Sequence, residues 1–417
     1  MNGRINLKIG KFVVLYLIAT YILYLFLPIK DFHSNDLKEI YTIVFLSFVC
    51  LAFYYGCKSI PIEKQPITNI PSLTIISPSV LWLLLIAVSA DIWLYLLDLV
   101  KFGAAQFSFA MGDNYKSLLF NDQVMQTSTW GRLFVLFSPL RIFLIAYCVY
   151  SYSHLTKSLK YALYILLASN VFLGVSRGQQ VDLGNVLIYI FVPYIIKTLQ
   201  QGMERGLKRK AMIASLIFIS FFIYSQLVRS NALEYDLSER YDENSLIFKI
   251  LGKEIGAGLS SFFMYFSHGY KGLNYCLQLP FEWTYGYGGS RAFDQYVVQY
   301  LDAPSMFNDT YPLRVKAVFG YDCEMSWPTA FPWWASDFSF PGVVVLMYYL
   351  GRLFCKVFRD AYYNSNIYAI AFLCQLIILV FFLPLNNQAF QARDSFLITI
   401  VLFGLWAYNR NKKYNQI

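Results

Sequence analysis

The chain has 417 residues, of which 57% are apolar and only 14% are charged, and its mean hydropathy is +0.46. Soluble domains carry roughly 25% charged residues, so this composition excludes an ordinary soluble protein. The net charge of +9 is concentrated on segments that are predicted below to share one side of a membrane, which argues against nucleic-acid binding.

Ten stretches are apolar and about long enough to cross a hydrocarbon core of roughly 30 Å. In chain order they are residues 12–29, 40–57, 80–97, 133–150, 161–174, 181–196, 212–228, 334–355, 368–385 and 396–408. The predicted fold class is therefore an all-α polytopic membrane protein with about ten transmembrane helices. Residues 1–228 hold the first seven, residues 229–332 form a large loop, and residues 333–417 hold the last three.

Lysine and arginine decide the orientation, because segments rich in them stay on the cytoplasmic side. With the N-terminus inside, the inner segments carry Arg4, Lys8, Lys11, Lys58, Lys64, Lys157, Lys160, Lys197, Arg205, Lys208, Arg209, Lys210, Arg352, Lys356, Arg359, Arg410, Lys412 and Lys413. Both termini are thus predicted to be cytoplasmic and the 229–332 loop to face the other side. No small-x-small cleavage site follows residues 12–29, so the first span is expected to persist.

Two outer segments are predicted to be helices that lie on the membrane. Residues 102–120 are too short and too polar to span, and an ordinary loop helix packed on the bundle is an equal alternative. Residues 246–266 place apolar side chains at helical spacing opposite Lys249 and Lys253, and glycines within them permit close approach of backbone or lipid. For this second segment the interfacial helix is favoured.

Seven cysteines are scattered along the chain, and five of them fall in or beside spans, where a thiol packs as a small apolar group. Cys276 and Cys323 alone lie in the large outer loop. An oxidising outer compartment would join them in a disulfide; the alternative is two unpaired packing residues. With three histidines and no CxxC or HExxH pattern, a transition-metal site is not expected.

The outer loop also combines aromatic residues with glycines in a pattern that suits a carbohydrate. Trp283, Tyr285 and Tyr287 precede or interleave the glycines of residues 286–289, which favours a sharp turn that exposes the rings. Aromatic rings stack on the C–H faces of pyranoses. The candidate sugar-binding residues are Trp283, Tyr285, Tyr287 and Trp327. An aromatic belt at the outer interface is the alternative explanation.

Arginine on the outer side indicates phosphate, because the planar guanidinium binds phosphate oxygens bidentately and stays charged. The candidate diphosphate-binding residues are Arg177, Arg291, Arg314 and Arg393. Arg177 lies in the turn between the fifth and sixth spans, where its partner is either a ligand diphosphate or Asp182. Arg291 and Arg393 alternatively pair with Asp294 and Asp394. Arg141, inside the fourth span, is either a snorkelling residue or a ligand-binding one.

The order of motifs resembles that of the bacterial O-antigen polymerases, the oligosaccharide repeat-unit polymerases. The matching segments are SRG at 176–178, SHGYKGLNYCLQLPFEWTYGYG at 267–288, YPLR at 311–314, WPTAF at 327–331 and WWASDFSFPG at 333–342. The paired arginine–glycine signature of some members is not evident, since no glycine follows ten residues after Arg291 or Arg314.

The resemblance implies a GT-C-like membrane glycosyltransferase at the periplasmic face of the bacterial inner membrane. The growing glycan would move from undecaprenyl diphosphate to the non-reducing end of an undecaprenyl-diphosphate-linked repeat unit. The outer arginines would stabilise the departing diphosphate, so neither a metal nor another cofactor is expected. The implied partners are the lipid-linked oligosaccharides, membrane lipid and a separate membrane protein that regulates chain length.

The attacking hydroxyl needs a general base, and the candidate catalytic residues are His268, Glu282 and Asp337. His268 is the only histidine of the outer loop, and histidine titrates near neutral pH. A hydrogen-bonded structural histidine is the alternative. Glu282 alternatively bonds a sugar hydroxyl. Asp337 alternatively pairs with an outer arginine or caps its own helix.

Other functions share parts of this pattern. An O-antigen ligase would have the same topology, lipid donor and outer-loop histidine, and is the first alternative. A lipid-linked oligosaccharide flippase is the second, although its ionisable residues are expected inside spans rather than outside them. A membrane O-acyltransferase would need a cytoplasmic site, for which the inner segments offer no convincing residues.

Overall fold

The computed structural model describes residues 5–29, 38–61, 76–115, 128–202, 207–232, 241–242, 244–324 and 326–414. These ranges are helical and contain no strand beyond one antiparallel bridge between Ile29 and Tyr241. The chain divides into two compact units. The first unit comprises Met1–Pro66, Leu237–Arg359 and Leu376–Phe396, and the second comprises Ile67–Asp236, Asp360–Gln375 and Leu397–Ile417.

The described part of the chain forms sixteen α-helices. In chain order they are α1 Ile5–Leu25, α2 Glu39–Lys58, α3 Pro78–Lys101, α4 Thr129–Tyr150, α5 Lys157–Ser176, α6 Gln180–Gln200, α7 Leu207–Ala232, α8 Leu246–Leu251, α9 Lys253–Ser267, α10 Gly269–Cys276, α11 Arg291–Leu301, α12 Tyr311–Phe319, α13 Ala330–Tyr363, α14 Ile367–Phe382, α15 Gln388–Gln391 and α16 Arg393–Tyr414. Short 3₁₀ turns occupy Tyr152–His154 and Phe307–Asp309.

Seven described helices are long and apolar enough to cross a membrane, namely α1 to α6 and α13. The shorter apolar segments Ile219–Val228 and Ile367–Phe382 coincide with two further predicted spans. The last predicted span, residues 396–408, lies inside α16. The protein is therefore an all-α membrane protein, as predicted, while the count of ten spans stays a prediction.

One helix begins before its predicted apolar stretch, because a capping residue lies upstream of that stretch. The stretch 161–174 becomes α5, which begins at Lys157 because the Thr156 hydroxyl accepts a hydrogen bond from the Leu159 amide at 3.4 Å. At about 1.5 Å per residue the resulting helix reaches roughly 30 Å, enough to cross a bilayer core. The same device starts α4, where the Ser128 hydroxyl accepts from the Gly131 amide at 2.8 Å.

The first predicted interfacial helix is wrong for residues 102–110, which form turns and bends, whereas residues 111–115 are helical. Residues 116–120 of that prediction lie outside the described residues. Gly103 adopts a φ of 73° directly after α3 ends, so the helix cannot continue. The segment instead bonds to the end of α5, through the Gln106 amide to the Ser176 carbonyl at 3.2 Å and the Asn114 side chain to the Val175 carbonyl at 2.9 Å.

The second predicted interfacial helix, residues 246–266, is helical but divided. Gly252 has a φ of 76° and a ψ of 175°, which separates α8 from α9. Small residues of α9 are buried, and α9 packs against α1. Leu246 and Ile250 of α8 are strongly exposed. The exposed apolar residues of α8 and the buried small residues of α9 agree with two helices that lie at the membrane surface. How deeply these helices enter the membrane stays a prediction.

Helix α13 is interrupted near its start. Ser339 has a φ of 61° and a ψ of 164°, two residues before Pro341, which has no backbone N–H to donate to the helix. Beyond the break, α13 packs tightly on α2. A Cβ atom added to Gly56 would lie 2.1 Å from the Tyr348 carbonyl oxygen, and one added to Gly351 would lie 2.4 Å from that of Phe53. The break separates a short first segment of α13, before Ser339, and this segment carries residues of the candidate site.

Candidate functional site

One carboxylate holds the glycine-rich turn of residues 284–289. Asp337, in the first half of α13, accepts hydrogen bonds from the Thr284 hydroxyl at 2.5 Å and from the amides of Gly286 and Gly289 at 3.1 Å each. Tyr285 and Gly286 adopt φ values of 56° and 85°, which turn successive amides towards one anion. Asp337 therefore anchors the turn, a role that none of the three sequence-based hypotheses for it included.

Glycine is required where the turn meets α13. A Cβ atom at Gly289 would lie 2.2 Å from the Trp333 carbonyl oxygen and 2.7 Å from a carboxylate oxygen of Asp337. A Cβ atom at Gly288 would lie 2.6 Å from that of Thr284. The glycines of this motif therefore serve close packing of the turn on a membrane helix, as well as its backbone conformation.

The turn displays two aromatic rings side by side. Trp283 and Tyr285 have ring centroids 4.9 Å apart and ring planes tilted by 39°, and the two residues are 57% and 60% exposed. Thr284, between them, is buried. Tyr287 instead is half-buried, and its hydroxyl donates to the Pro304 carbonyl at 2.9 Å. Two of the four predicted sugar-binding residues thus form an accessible platform of the kind that suits a pyranose ring.

Arg314 and Glu282 form an ion pair immediately before that platform. The Arg314 side chain is only 15% exposed, whereas that of Glu282 is 58% exposed. Arg314 also donates to the Pro280 carbonyl at 2.7 Å, and its guanidinium lies 5.0 Å from the centre of the Tyr311 ring. Its Nε atom is buried without a hydrogen-bond partner among the described residues. The cation is therefore held firmly, while its carboxylate partner faces outward.

The ring beneath Arg314 stays neutral at physiological pH. Burial raises the pKa of Tyr311 to about 12, although the nearby guanidinium acts in the opposite direction. A neutral phenol presents its ring face to the cation without adding a second negative charge. The guanidinium charge is therefore balanced by Glu282 and not by the tyrosine.

Arg291 is the first residue of α11 and is exposed. Its guanidinium lies 5.3 Å from the centre of the Phe307 ring, which stacks on Trp333 at 5.5 Å. Its predicted alternative partner, Asp294, is buried and accepts instead from the Ser305 hydroxyl at 2.7 Å and the Met306 amide at 2.8 Å. The Arg291 side chain is therefore exposed to solvent at the start of α11, and Asp294 has other hydrogen-bond partners.

Arg393, the first residue of α16, contacts the same helix. Its Nε donates to the Gln295 side chain at 2.9 Å, and its guanidinium lies 5.4 Å from the centre of the Tyr296 ring. Gln295 is one helical turn after Arg291, so these positions share a face of α11. Arg393 therefore contacts the middle of α11, about one helical turn after Arg291, although the two arginines are far apart in sequence.

His268 connects α9 to α10. Its Nδ1 lies 2.9 Å from the Met264 carbonyl oxygen, which only accepts hydrogen bonds, so Nδ1 carries a proton and Nε2 is the basic nitrogen of the neutral ring. A Cβ atom at Gly269 or Gly272 would lie 2.8 Å from an atom of Thr329 or Pro328, respectively. These glycines explain the spacing of the HGYKG motif, because they let α10 pack against the WPTAF segment, at whose start the exposed Trp327 lies.

Arg177 belongs to the second unit, whereas the other predicted site residues belong to the first. It follows α5 and pairs with Asp182 at 3.2 Å, the protein partner that was one of its two predicted alternatives. Arg141, in the same unit, is buried and pairs with Asp91 at 3.4 Å, while its guanidinium lies 3.9 Å from the centre of the Phe134 ring. This pair joins α3 to α4.

A polar cluster at the start of α2 was missed. Glu39 accepts hydrogen bonds from the hydroxyls of Tyr21 and Tyr24 at 2.8 Å each. The ring of Tyr270, from the HGYKG motif, lies 5.2 Å from that of Tyr21. The sequence did contain a signal for this cluster. Glu39 directly precedes the apolar stretch 40–57, and Tyr21 and Tyr24 lie three residues apart near the end of the stretch 12–29.

Comparisons with models of known protein families, with curated proteins and with solved structures yield no match to this chain. The function is therefore inferred from the chemistry of the site together with the order of motifs. That chemistry comprises an exposed pair of aromatic rings, a guanidinium held by several contacts and paired with an exposed carboxylate, and two further arginines that lie on or against α11.

Proposed function

We propose that this protein is an O-antigen repeat-unit polymerase. It transfers the growing glycan from undecaprenyl diphosphate to the non-reducing end of an undecaprenyl-diphosphate-linked repeat unit. The observation that carries the proposal is the Glu282–Arg314 pair directly beside the exposed rings of Trp283 and Tyr285, on a turn anchored to α13. A cation, a sugar platform and a membrane helix together suit a substrate that combines a diphosphate, a sugar and a lipid.

Arg314 is the proposed clamp for the leaving diphosphate. A diphosphate carries more negative charge than one carboxylate and fits the planar guanidinium bidentately, so it competes with Glu282 for this group. As the anomeric carbon–oxygen bond breaks, the charge that develops on the diphosphate is stabilised by a cation already in position. No rearrangement of Arg314 is needed, since burial, the Pro280 carbonyl and the Tyr311 ring hold it.

When the diphosphate replaces Glu282 on Arg314, the Glu282 carboxylate is released beside the aromatic rings of Trp283 and Tyr285. This carboxylate is then available to accept the proton of the attacking hydroxyl or to bond a neighbouring sugar hydroxyl. His268 is the second candidate base, through Nε2, because its Nδ1 proton is committed to the Met264 carbonyl. Asp337 is assigned to the turn rather than to proton transfer, since the turn occupies both of its oxygens.

Arg291 and Arg393 are the proposed contacts of the second lipid diphosphate. The reaction joins two lipid-linked substrates, so two anionic groups must be bound at once. The N-terminus of α11 favours an anion through its backbone amides and helix dipole, and Arg291 is exposed there. Tyr287 and Trp327 complete the proposed sugar contacts, whereas Arg177, in the second unit, would serve as a diphosphate contact only by giving up Asp182.

The proposed location is the bacterial inner membrane, with both termini in the cytoplasm and the 229–332 loop in the periplasm. The cationic inner segments support this orientation. The proposed partners are the undecaprenyl-diphosphate-linked oligosaccharides, surrounding lipid and a membrane protein that regulates chain length.

A deletion strain complemented with this gene tests the proposal, read as a lipopolysaccharide ladder on a gel. Loss of a polymerase leaves single repeat units attached to lipid A core, and the long ladder returns on complementation. Loss of a ligase leaves no repeat units attached, and loss of a flippase traps them inside the cell. Either of these two patterns, or an unchanged ladder in the deletion strain, would contradict the proposal.

A further inference from the structure

The first unit contains two pairs of neighbouring, buried cysteines. Cys276 ends α10 and Cys323 follows α12, and the two thiols are close enough to influence each other electrostatically. Cys57 of α2 donates a hydrogen bond to the Gly351 carbonyl of α13 at 3.4 Å and has Cys355 of α13 as a close neighbour. All four side chains are buried, and all four are thiols in the structure. The two pairs therefore offer the same chemistry at two places in the fold.

Aromatic packing holds the first pair together independently of the sulfur atoms. The Tyr275 ring lies 4.9 Å from that of Phe319 and 5.4 Å from that of Tyr321. These contacts flank Cys276 and Cys323 in the sequence, and α10 packs against α12. Removing one sulfur atom should therefore leave the neighbouring segments in place, so a serine variant is a clean test.

The two pairs lie towards opposite ends of α2. The Asn274 side chain accepts from the Lys38 amide at 2.9 Å and donates to the Thr42 hydroxyl at 3.1 Å, which places the end of α10 beside the start of α2. Cys57 is next to the last residue of α2. From Thr42 to Cys57 the helix rises about 22 Å. Because α2 is apolar enough to cross a membrane, the pairs lie near opposite membrane faces.

We propose that Cys276 and Cys323 are a disulfide-forming site, and that Cys57 and Cys355 stay reduced. Disulfides persist in oxidising compartments such as the periplasm and are rare in the cytosol. The assignment of sides rests on the proposed function, which places the 229–332 loop in the periplasm. The inference goes beyond that function because it concerns a covalent modification that the transfer reaction does not require.

The oxidant is a periplasmic thiol–disulfide oxidoreductase in its disulfide form. One thiolate of the pair attacks the donor disulfide, and the second thiolate then displaces the donor from the mixed disulfide. The new bond joins Cys276 to Cys323, while the electron pair and both protons end on the donor dithiol. Burial raises the pKa of the Cys276 thiol well above its ordinary value, so the exchange takes place before the segment is fully packed.

The bond would close the segment that carries most of the candidate site. Glu282, Arg291 and Arg314 all lie between Cys276 and Cys323 in the sequence. A cross-link across such a segment limits the conformations of its unfolded state and so stabilises the folded one. The disulfide would thus protect the ion pair and the aromatic platform without touching them.

Differential alkylation of the full-length protein in its native membrane tests the inference. Cells are quenched with acid, and free thiols are blocked with maleimide in denaturant, since all four sulfur atoms are buried. The sample is then reduced and labelled with a polyethylene-glycol maleimide, which shifts the band on a gel once per former disulfide sulfur. We expect two added groups on the native chain and on Cys57→Ser and Cys355→Ser, and none on Cys276→Ser or Cys323→Ser.

Two outcomes would overturn the inference. If the native chain takes up no label after reduction, the outer pair is not oxidised, and the lipopolysaccharide ladder still tests the proposed function separately. If the label is lost in Cys57→Ser but kept in Cys276→Ser, the oxidising side is the other one. That second result would also contradict the orientation on which the proposed function depends.

Discussion

Two arginine–carboxylate pairs, one in each unit, differ mainly in how far water reaches them. In the second unit the side chains of Arg141 and Asp91 are 4% and 8% exposed. In the first unit the Arg314 side chain is 15% exposed, and that of its partner Glu282 is more than half exposed. A pair closed on both sides has no route to a ligand and serves the fold. A pair open on its anionic side can exchange its carboxylate for another anion.

The largest expected effect is on folding, and it belongs to the closed pair. Asp91→Ala leaves the Arg141 cation buried without its carboxylate, which costs about 3–5 kcal/mol. Replacing both residues together, as Asp91→Leu with Arg141→Met, should restore most of that loss, because an apolar pair of similar volume avoids the desolvation cost. Thermal survival of the protein in detergent, followed by gel filtration, measures both. Equal survival of the single and double variants would count against a closed structural pair.

The next effect is on the reaction, through His268. His268→Ala should slow glycan extension by about 10²- to 10⁴-fold if Nε2 is the base, with protein still present in the membrane. His268→Gln is the matched variant, because its side chain can still donate to the Met264 carbonyl but cannot take up a proton. A normal ladder from the alanine variant would assign His268 to structure. Activity retained only by the glutamine variant would give the same assignment.

The third expected effect is a loss of about 10²- to 10³-fold in the rate of glycan extension when Arg314 is replaced. A loss of this size is typical of removing one group that stabilises developing charge. Arg314→Ala should abolish the long ladder, and Arg314→Lys should recover little, since an ammonium lacks the bidentate fork. Arg352→Ala is the control, because its guanidinium also lies over a tyrosine ring, that of Tyr348 at 5.8 Å, yet far along α13. Normal extension by Arg314→Ala would remove the diphosphate clamp from the proposal.

Whether a contact of the fold or the site could be predicted from the sequence depends on how far apart its two residues lie along the chain. The Arg177–Asp182 pair joins neighbouring residues of one turn, and it was among the predicted alternatives. The anchoring of the 284–289 turn by Asp337 joins residues about fifty positions apart, so spacing gave no hint of it. The pairing of Asp91 with Arg141 was likewise not predicted, because the two residues lie fifty positions apart in the sequence. Helices follow from local hydropathy and caps, whereas partners across the fold follow from packing that a single sequence does not display.

The aromatic platform should contribute less than the charges. Trp283→Ala removes one ring of the exposed pair, and an aromatic contact of this kind contributes about 0.5–1.5 kcal/mol, which corresponds to at most about a tenfold change. We expect a weaker affinity for lipid-linked repeat units with little change in the maximal rate. Tyr300→Ala serves as the control, since this exposed ring lies near the other end of α11. Equal losses from both variants would indicate a general effect of surface aromatic residues.

The smallest effect is expected two residues beyond the clamp, at a second cation of the same short helix. Lys316 of α12 bonds Asp322 at 2.5 Å, and both side chains are accessible to water. This hydrogen bond raises the pKa of Lys316, so any contribution to stability is complete below the usual lysine range and is lost only as the pH rises above it. At neutral pH, Lys316→Ala should therefore leave both the ladder and the thermal survival unchanged, because exposed ion pairs contribute little. A ladder lost in Lys316→Ala as completely as in Arg314→Ala would mean that positive charge on α12, rather than a held guanidinium, is what the substrate requires.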